Sequence, residues 1–252
     1  MKKPIGDYLL PMSDARKGLA VAGPRDRRIE PRYALAAAAR YVGVPSSTLT
    51  TWARGYTRRF PDRPTIRRGP LIHSVDGRRG EPSVSFLGLT EAMVVAAFRH
   101  AGLPMQRIRP AVERLQQEIG LEYALASKRL YSDGAEILFD YAKEADDDEI
   151  GALTVVRSRQ TVFKPAVQDY LKRLEFDHDQ WAMRIYLPIT SEKLIAVDPT
   201  RGLGQPLFVH GGAPLNSVMS RLRAGDSVPT VAADFDLDAT EVRAVRKALA
   251  AA

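Results

Sequence analysis

The sequence predicts an α+β chain that is mainly α. A winged helix–turn–helix domain comes first, then a mixed α/β middle region, then a C-terminal three-helix domain of helix–turn–helix type. Three observations carry this reading. The segment "LAAAARYVGVPSSTLTTWARG", residues 35 to 55, holds two short apolar-spaced stretches hinged on Gly43-Val44-Pro45. Two alternating stretches around a polar turn follow it, as in a β-hairpin. Near the C-terminus, helical patterns fall at 214–224, 228–234 and 238–250, separated by "AGD" and "FDLD". The expected units are a flexible arm at 1–30, the winged domain at 31–120, the middle region at 121–195 and the C-terminal domain at 196–252.

Taken in order, residues 1–30 lack periodicity, which predicts an arm. The Ala-rich stretch after Pro31 reads as a helix that starts near that proline and is closed by Gly43, a residue that reaches positive φ without steric cost. Pro45-Ser46-Ser47 opens a second short helix with a hydroxyl available as N-cap. Ala38, Tyr41, Val44, Leu49 and Trp52 are spaced to form one small core between the two. Leu71–Val75 and Ser83–Phe86 then alternate as strands around a turn from Asp76 to Pro82, with Arg78 and Arg79 at its tip. "GLTEAMVVAAFRHAGLPMQRIRPAVERLQQEIG" reads as a further helix pair, capped by Thr90, closed at Gly102 and reopened by Pro104. Pro110 predicts a kink or a later start. In the middle region, "EILFDYA", "LTVVRSRQTVF" and "MRIYLPI" read as strands, "KPAVQDYLKRLEF" as a helix and "KEADDDEI" as an exposed acidic turn.

Composition narrows the class. The 252 residues include no cysteine, which excludes disulfides and thiolate metal sites and fits a reducing cytoplasm. The longest apolar run, "AMVVAAF", is far too short to span a bilayer, so no membrane role is expected and the expected location is cytoplasmic. The net charge of +7 is unevenly spread. Residues 1–80 hold 17 Lys and Arg against 6 Asp and Glu, a net of +11, and the remainder is net acidic. So basic an N-terminal third favours a polyanion, with nucleic acid first among candidates.

Catalytic signatures are absent: there is no glycine-rich phosphate loop, no serine elbow and no histidine pair at metal spacing. The sequence therefore predicts no enzyme, no cofactor and no metal. "FDHDQW" sets His178 between two carboxylates, but no second ligand cluster accompanies it, and a surface loop is the expectation. The residues that do point to chemistry are those of a DNA reader. Short hydroxyl side chains at Ser46, Ser47, Thr50 and Thr51 let a second helix approach base edges or phosphates. Arg54, Arg58 and Arg59 follow as candidate phosphate clamps, and Arg78 and Arg79 would reach flanking phosphates or the minor groove from the wing.

In this order, "ALAAAARYVGVPSSTLTTWARG", the arginine-tipped hairpin and "GLTEAMVVAAFRHAGLPMQRIRPAVERL" resemble the winged helix–turn–helix of MerR-like regulators, over residues 31 to 118. The resemblance implies that Ser46, Ser47, Thr50, Thr51 and Arg54 face the groove and that Arg78 and Arg79 sit on the wing. It ends where such regulators continue into a long dimerising helix, because Gly120 and a mixed region follow here. The last 55 residues, through Asp198-Pro199, Gly204, Pro206 and "RLRAGDSVPTVAADFDLDATEVRAVRKAL", resemble a small homeodomain-like family that occurs in VapB-type antitoxins.

Together the two ends imply a DNA-binding antitoxin of a type II toxin–antitoxin system. Such a protein would repress its own operon as a homodimer on double-stranded operator DNA, and would neutralise a PIN-domain ribonuclease toxin. Either the arm at 1–30 or the region near 196–212 could supply a toxin-inserting segment. A stand-alone MerR-like regulator without a toxin is the alternative, and a protein-interaction module with an incidental basic face is a third. The second helix–turn–helix is expected to contact protein, because Asp234, Asp236, Asp238 and Glu241 crowd the entrance of its would-be reading helix.

Overall fold

The computed structural model describes residues 27–119, 123–128, 130, 169–170 and 172–251. The expected strands at 136–142 and 153–163, the acidic turn at 143–150 and nearly all of the arm lie outside these residues.

The chain enters at Tyr33, which pairs with Val84 in an isolated antiparallel bridge. Helix α1 (Leu35–Val42) follows and stops at Gly43, whose φ of 77° only glycine adopts without cost. It starts four residues after Pro31, with Ala34 as N-cap. Helix α2 (Ser46–Arg54) has Pro45, which carries no side-chain acceptor, as its N-cap residue, so no hydroxyl caps it. Ala38, Leu49 and Trp52 are buried as the spacing predicts. Tyr41 and Val44 are half-buried against that core. The edge-on ring partner of Tyr41 is Tyr33, at 6.1 Å between centroids.

Directly after α2 comes a hairpin, in a stretch to which the sequence pattern assigns no element. Strands β1 (Tyr56–Arg58) and β2 (Ile66–Arg68) pair antiparallel, with Tyr56 opposite Arg68 and Arg58 opposite Ile66. The expected hairpin at 71–86 is also present, but shorter than predicted. Ser74 and Val84 form a single bridge, and the Val75 N–H donates to the Ser83 carbonyl. Val84 is shared with Tyr33, which leaves the pairing too short for a ladder. Ser85 and Phe86 leave the strand: the Ser85 hydroxyl accepts the Gly88 N–H and caps helix α3 (Phe86–His100). Thr90 is therefore no cap. It is buried one turn inside α3, with its hydroxyl donating to the Phe86 carbonyl. Helix α4 (Met105–Ile119) starts at Pro104 and runs on through Pro110 as one helix.

The second half is built on a four-stranded antiparallel meander: β3 (Leu174–Phe176), β4 (Ala182–Tyr186), β5 (Ile195–Val197) and β6 (Leu207–Phe208), in that order. The helix expected across 164–176 is replaced at its C-terminal end by β3, where Leu174 turns inward and pairs with Ile185. Three helices follow: α5 (Leu215–Arg223), α6 (Val228–Asp234) and α7 (Ala239–Ala251), close to the predicted ranges. Val231, Val242 and Val245 are buried between them.

The contacts that dock this half onto the first include three that join distant positions of the sequence. The Tyr33 hydroxyl donates to the Gly204 carbonyl at 2.8 Å, and the Tyr170 hydroxyl to the Thr90 carbonyl at 3.0 Å. Arg28 grips Asp179 through both guanidinium nitrogens, at 3.1 and 2.6 Å. Burial of both tyrosines raises their pKa values, so each stays a neutral hydrogen-bond donor.

Candidate nucleic-acid interface

Helix α2 buries Leu49, Trp52 and Ala53 along one stripe. The helical repeat then places Ser47, Thr51 and Arg54 on the opposite side and Thr50 on the flank, with Ser46 in the first turn at the edge of the stripe. Ser46, Ser47 and Arg54 are exposed; Thr50 and Thr51 are half-buried. Because Pro45 supplies the cap, the Ser46 and Ser47 hydroxyls have no hydrogen-bond partner among the described residues. The threonines differ. Thr50 Oγ1 donates to the Ser46 carbonyl at 2.7 Å, and Thr51 Oγ1 to the Ser47 carbonyl at 2.9 Å. Their protons are committed, so each presents only lone pairs outward. They suit a donor such as the exocyclic amine of adenine or cytosine better than a phosphate. Phosphate is left to the serines and to the arginines.

Arg54, a candidate phosphate clamp, is anchored within the protein. Its Nη2 donates to the Gly77 carbonyl at 2.8 Å, fastening the 76–82 turn to the C-terminal end of α2. Glu81 shapes that turn, accepting the Arg78 N–H at 2.8 Å while its own N–H donates to the Arg78 carbonyl. The Arg78 and Arg79 side chains at the tip are exposed. Behind the turn, the His73 N–H donates to the Glu91 carboxylate at 2.7 Å, and Gly88 lies so close to His73 that a Cβ there would stand 2.2 Å from the carbonyl oxygen. The turn is thus seated on α3.

The β1–β2 hairpin leaves from the same end of α2. Arg58 and Arg59 fall here, together with Arg63, Arg67 and Arg68, which sequence reasoning does not single out. A signal was available: arginine pairs at 58–59 and 67–68 bracket the proline-bounded segment 61–64. Between residues 54 and 79 the chain carries eight arginines and two aspartates.

His178 Nδ1 lies 2.6 Å from Asp177, a local pair, while Asp179 is taken by Arg28. Burial pushes the Asp179 pKa up, but the Arg28 guanidinium and the Trp181 N–H hold the carboxyl below its ordinary range overall. No cluster of three metal-ligating side chains occurs among the described residues. No helix among them is long and apolar enough to cross a membrane.

Residues 31–112 match the family described as "Putative DNA-binding HTH domain", the span that contains α1, α2, both arginine-bearing loops and α3. Over 227 residues the chain is 40% identical to "Putative antitoxin VapB45" of Mycobacterium tuberculosis, covering 88% of this chain and 95% of that protein. The chain belongs to the VapB45-like antitoxin family, with a helix–turn–helix DNA-binding domain. A second relative in the same organism, the uncharacterised protein Rv2308, is 25% identical over 236 residues, 90% of this chain and 92% of its own length. The fold has a solved counterpart in the crystal structure of Rv2018 from Mycobacterium tuberculosis. That structure is 34% identical, with a TM-score of 0.69 over 86% of this chain and 99% of the other. The likeness to that structure extends beyond the N-terminal domain.

Proposed function

We propose that this protein is the antitoxin of a type II toxin–antitoxin pair. As a homodimer it binds the operator of its own operon through the winged, MerR-like unit at 31–120, and it neutralises a PIN-domain ribonuclease through a different surface. The observation that carries the DNA reading is the outward face of α2. Four short hydroxyl side chains lie there with no carboxylate in the first turn, and Arg54 draws an arginine-tipped turn against the far end. A helix with this face fits a major groove, and the flanking arginines supply sequence-independent grip on phosphates. Two such units related by a twofold axis would match a palindromic operator. The antitoxin reading rests on the similarity to the VapB45 antitoxin along nearly the full chain.

The test is fluorescence anisotropy on the duplex upstream of the protein's own gene, against a scrambled duplex, over a salt series. Preference for the native duplex at physiological salt, reduced by Arg78→Ala/Arg79→Ala, is the expected result. Equal, salt-labile binding to both duplexes would sink the operator reading. Stable co-purification with the product of an adjoining toxin-like gene is expected too. Operator binding without such a partner would instead identify a stand-alone regulator.

A further inference from the structure

The hairpin Tyr56–Arg68 is a structural oddity. Each strand has three residues, and both strands are exposed along their whole length. A two-stranded ribbon that buries nothing is at best marginally stable by itself. This one is held at its two ends. At the base, Gly55 has φ +70°, and a Cβ on it would stand 2.1 Å from the Arg68 carbonyl oxygen, so only glycine lets the strands close there. Arg109 from α4, itself buried, donates to the Gly69 carbonyl at 2.6 Å, and the Leu71 N–H donates to the Trp52 carbonyl at 2.7 Å. At the tip, Arg58 and Arg63 both lie over the Phe60 ring, at 5.1 and 5.8 Å from its centroid. The result is an ordered projection that contributes no core.

Its chemistry is one-sided. Residues 54–68 hold six arginines and one aspartate. Strand register puts Arg67 on one face, and Arg58 and Arg68 on the other. The side chains of Arg59, Arg67 and Arg68 have no hydrogen-bond or ion-pair partner among the described residues. We infer that this hairpin is a second DNA clamp, in which Arg67 and Arg68 bind backbone phosphates flanking the site read by α2. The inference rests on the operator-binding reading above and adds to it a grip that the helix and the 76–82 turn do not supply.

Two features favour DNA over an acidic protein surface. The hairpin and the Arg78–Arg79 turn are fastened to the same end of the same helix, so a polyanion lying along α2 meets both. Protein interfaces centre on a charge-poor apolar core. Here the only large aliphatic or tyrosine side chains, Ile66 and Tyr56, each sit directly opposite an arginine across the strands. Arginines on both faces of the ribbon, with no acceptor nearby, suit binding to phosphate and carry no base information.

The decisive variant is Arg67→Ala/Arg68→Ala, with Arg67→Lys/Arg68→Lys beside it. Neither side chain has a partner among the described residues, so thermal unfolding of all three proteins should coincide. The alanine pair should weaken binding to operator and scrambled duplex by the same factor. The slope of log K against log salt should fall by about 1 for each phosphate no longer neutralised, hence by about 2. The lysine pair should retain the slope, because it neutralises the same number of phosphates.

An alanine variant with wild-type affinity and slope, alongside a wild type that still prefers its operator, would overturn the clamp and leave the operator reading intact. Loss confined to the operator duplex would overturn the phosphate assignment in favour of base recognition. A wild type with no preference for the operator would remove both readings together.

Discussion

The molecule carries two helix pairs of the same general shape, α1–α2 near the N-terminus and α6–α7 near the C-terminus, and their second helices begin in opposite chemistry. Helix α2 starts with two exposed serines behind a proline cap, has no acidic residue in its first turn and ends beside a concentration of arginine. Helix α7 starts behind Asp234, Asp236 and Asp238 and carries Glu241 in its first turn. Three of those four carboxylates, all but Asp236, have structural employment. Asp234 accepts from Arg221 Nη2 at 2.9 Å, and Arg221 also binds Asp226. Glu241 lies 2.6 Å from His210 Nδ1, and Asp238 caps the helix. The difference teaches that helix–turn–helix geometry by itself assigns no partner. What distinguishes the pairs is whether the polar groups at the entrance of the second helix are spent on the protein or left over. In α2 they are left over.

The largest effect that sharpens this contrast concerns the framework of the first pair. Trp52 is buried and joins α2 to α1. Trp52→Ala should cost about 3–5 kcal/mol by denaturant unfolding, the usual range for emptying an aromatic core position. A loss well under about 1 kcal/mol would mean that α2 is held by something other than this core.

A smaller but more discriminating change makes α2 resemble α7. Ser47→Glu puts a carboxylate at the second position of the helix, where the macrodipole favours it by about 0.3–1 kcal/mol. Stability should hold or rise slightly. Operator affinity should fall on the order of tenfold or more, because that carboxylate would face phosphate. Opposite signs in the two measurements are the point of the experiment. If both fell together, α2 would have been damaged as a helix; if affinity were unchanged, α2 would not be the reading helix.

The two pairs are equally legible as sequence, and for the same reason. Apolar spacing reports burial, and both pairs bury a clear stripe. The segments predicted at 214–224, 228–234 and 238–250 lie within about one residue of α5, α6 and α7, helped by the Ser227 cap and the glycine at 225. The β1–β2 hairpin is illegible on the same principle: it buries nothing, so its strands carry no alternation. Its existence depends on Gly55, Arg109 and the Trp52 carbonyl, partners reached across as many as 40 positions of sequence. Ser85 reads as strand in the sequence, but tertiary pairing ends that strand one residue earlier. The hydroxyl face of α2 can be read from spacing. The commitment of Arg54 to Gly77, and of the two threonine protons to backbone carbonyls, cannot.

The smallest effect tests whether the acid at the entrance of α7 is structural. Asp238 Oδ1 accepts from the Thr240 hydroxyl and from the Thr240 N–H, each at 2.6 Å. The Thr240 hydroxyl bond, then the N–H bond, hold the Asp238 carboxyl below the ordinary carboxylate range. A folded-state pKa below the unfolded one means that the carboxylate favours the folded state. That contribution is complete above the unfolded pKa and is lost as pH falls through the folded one. Thr240→Val removes the first of the two bonds and keeps the backbone donor. The Asp238 resonance, followed by carboxyl NMR, should then titrate at higher pH than in the wild type, and acid unfolding should begin earlier. Operator binding at neutral pH should be unchanged, because this carboxylate serves its own helix. An unmoved titration would deny Asp238 its capping role. A change in operator affinity would instead bring α7 to the DNA and erase the distinction between the two pairs.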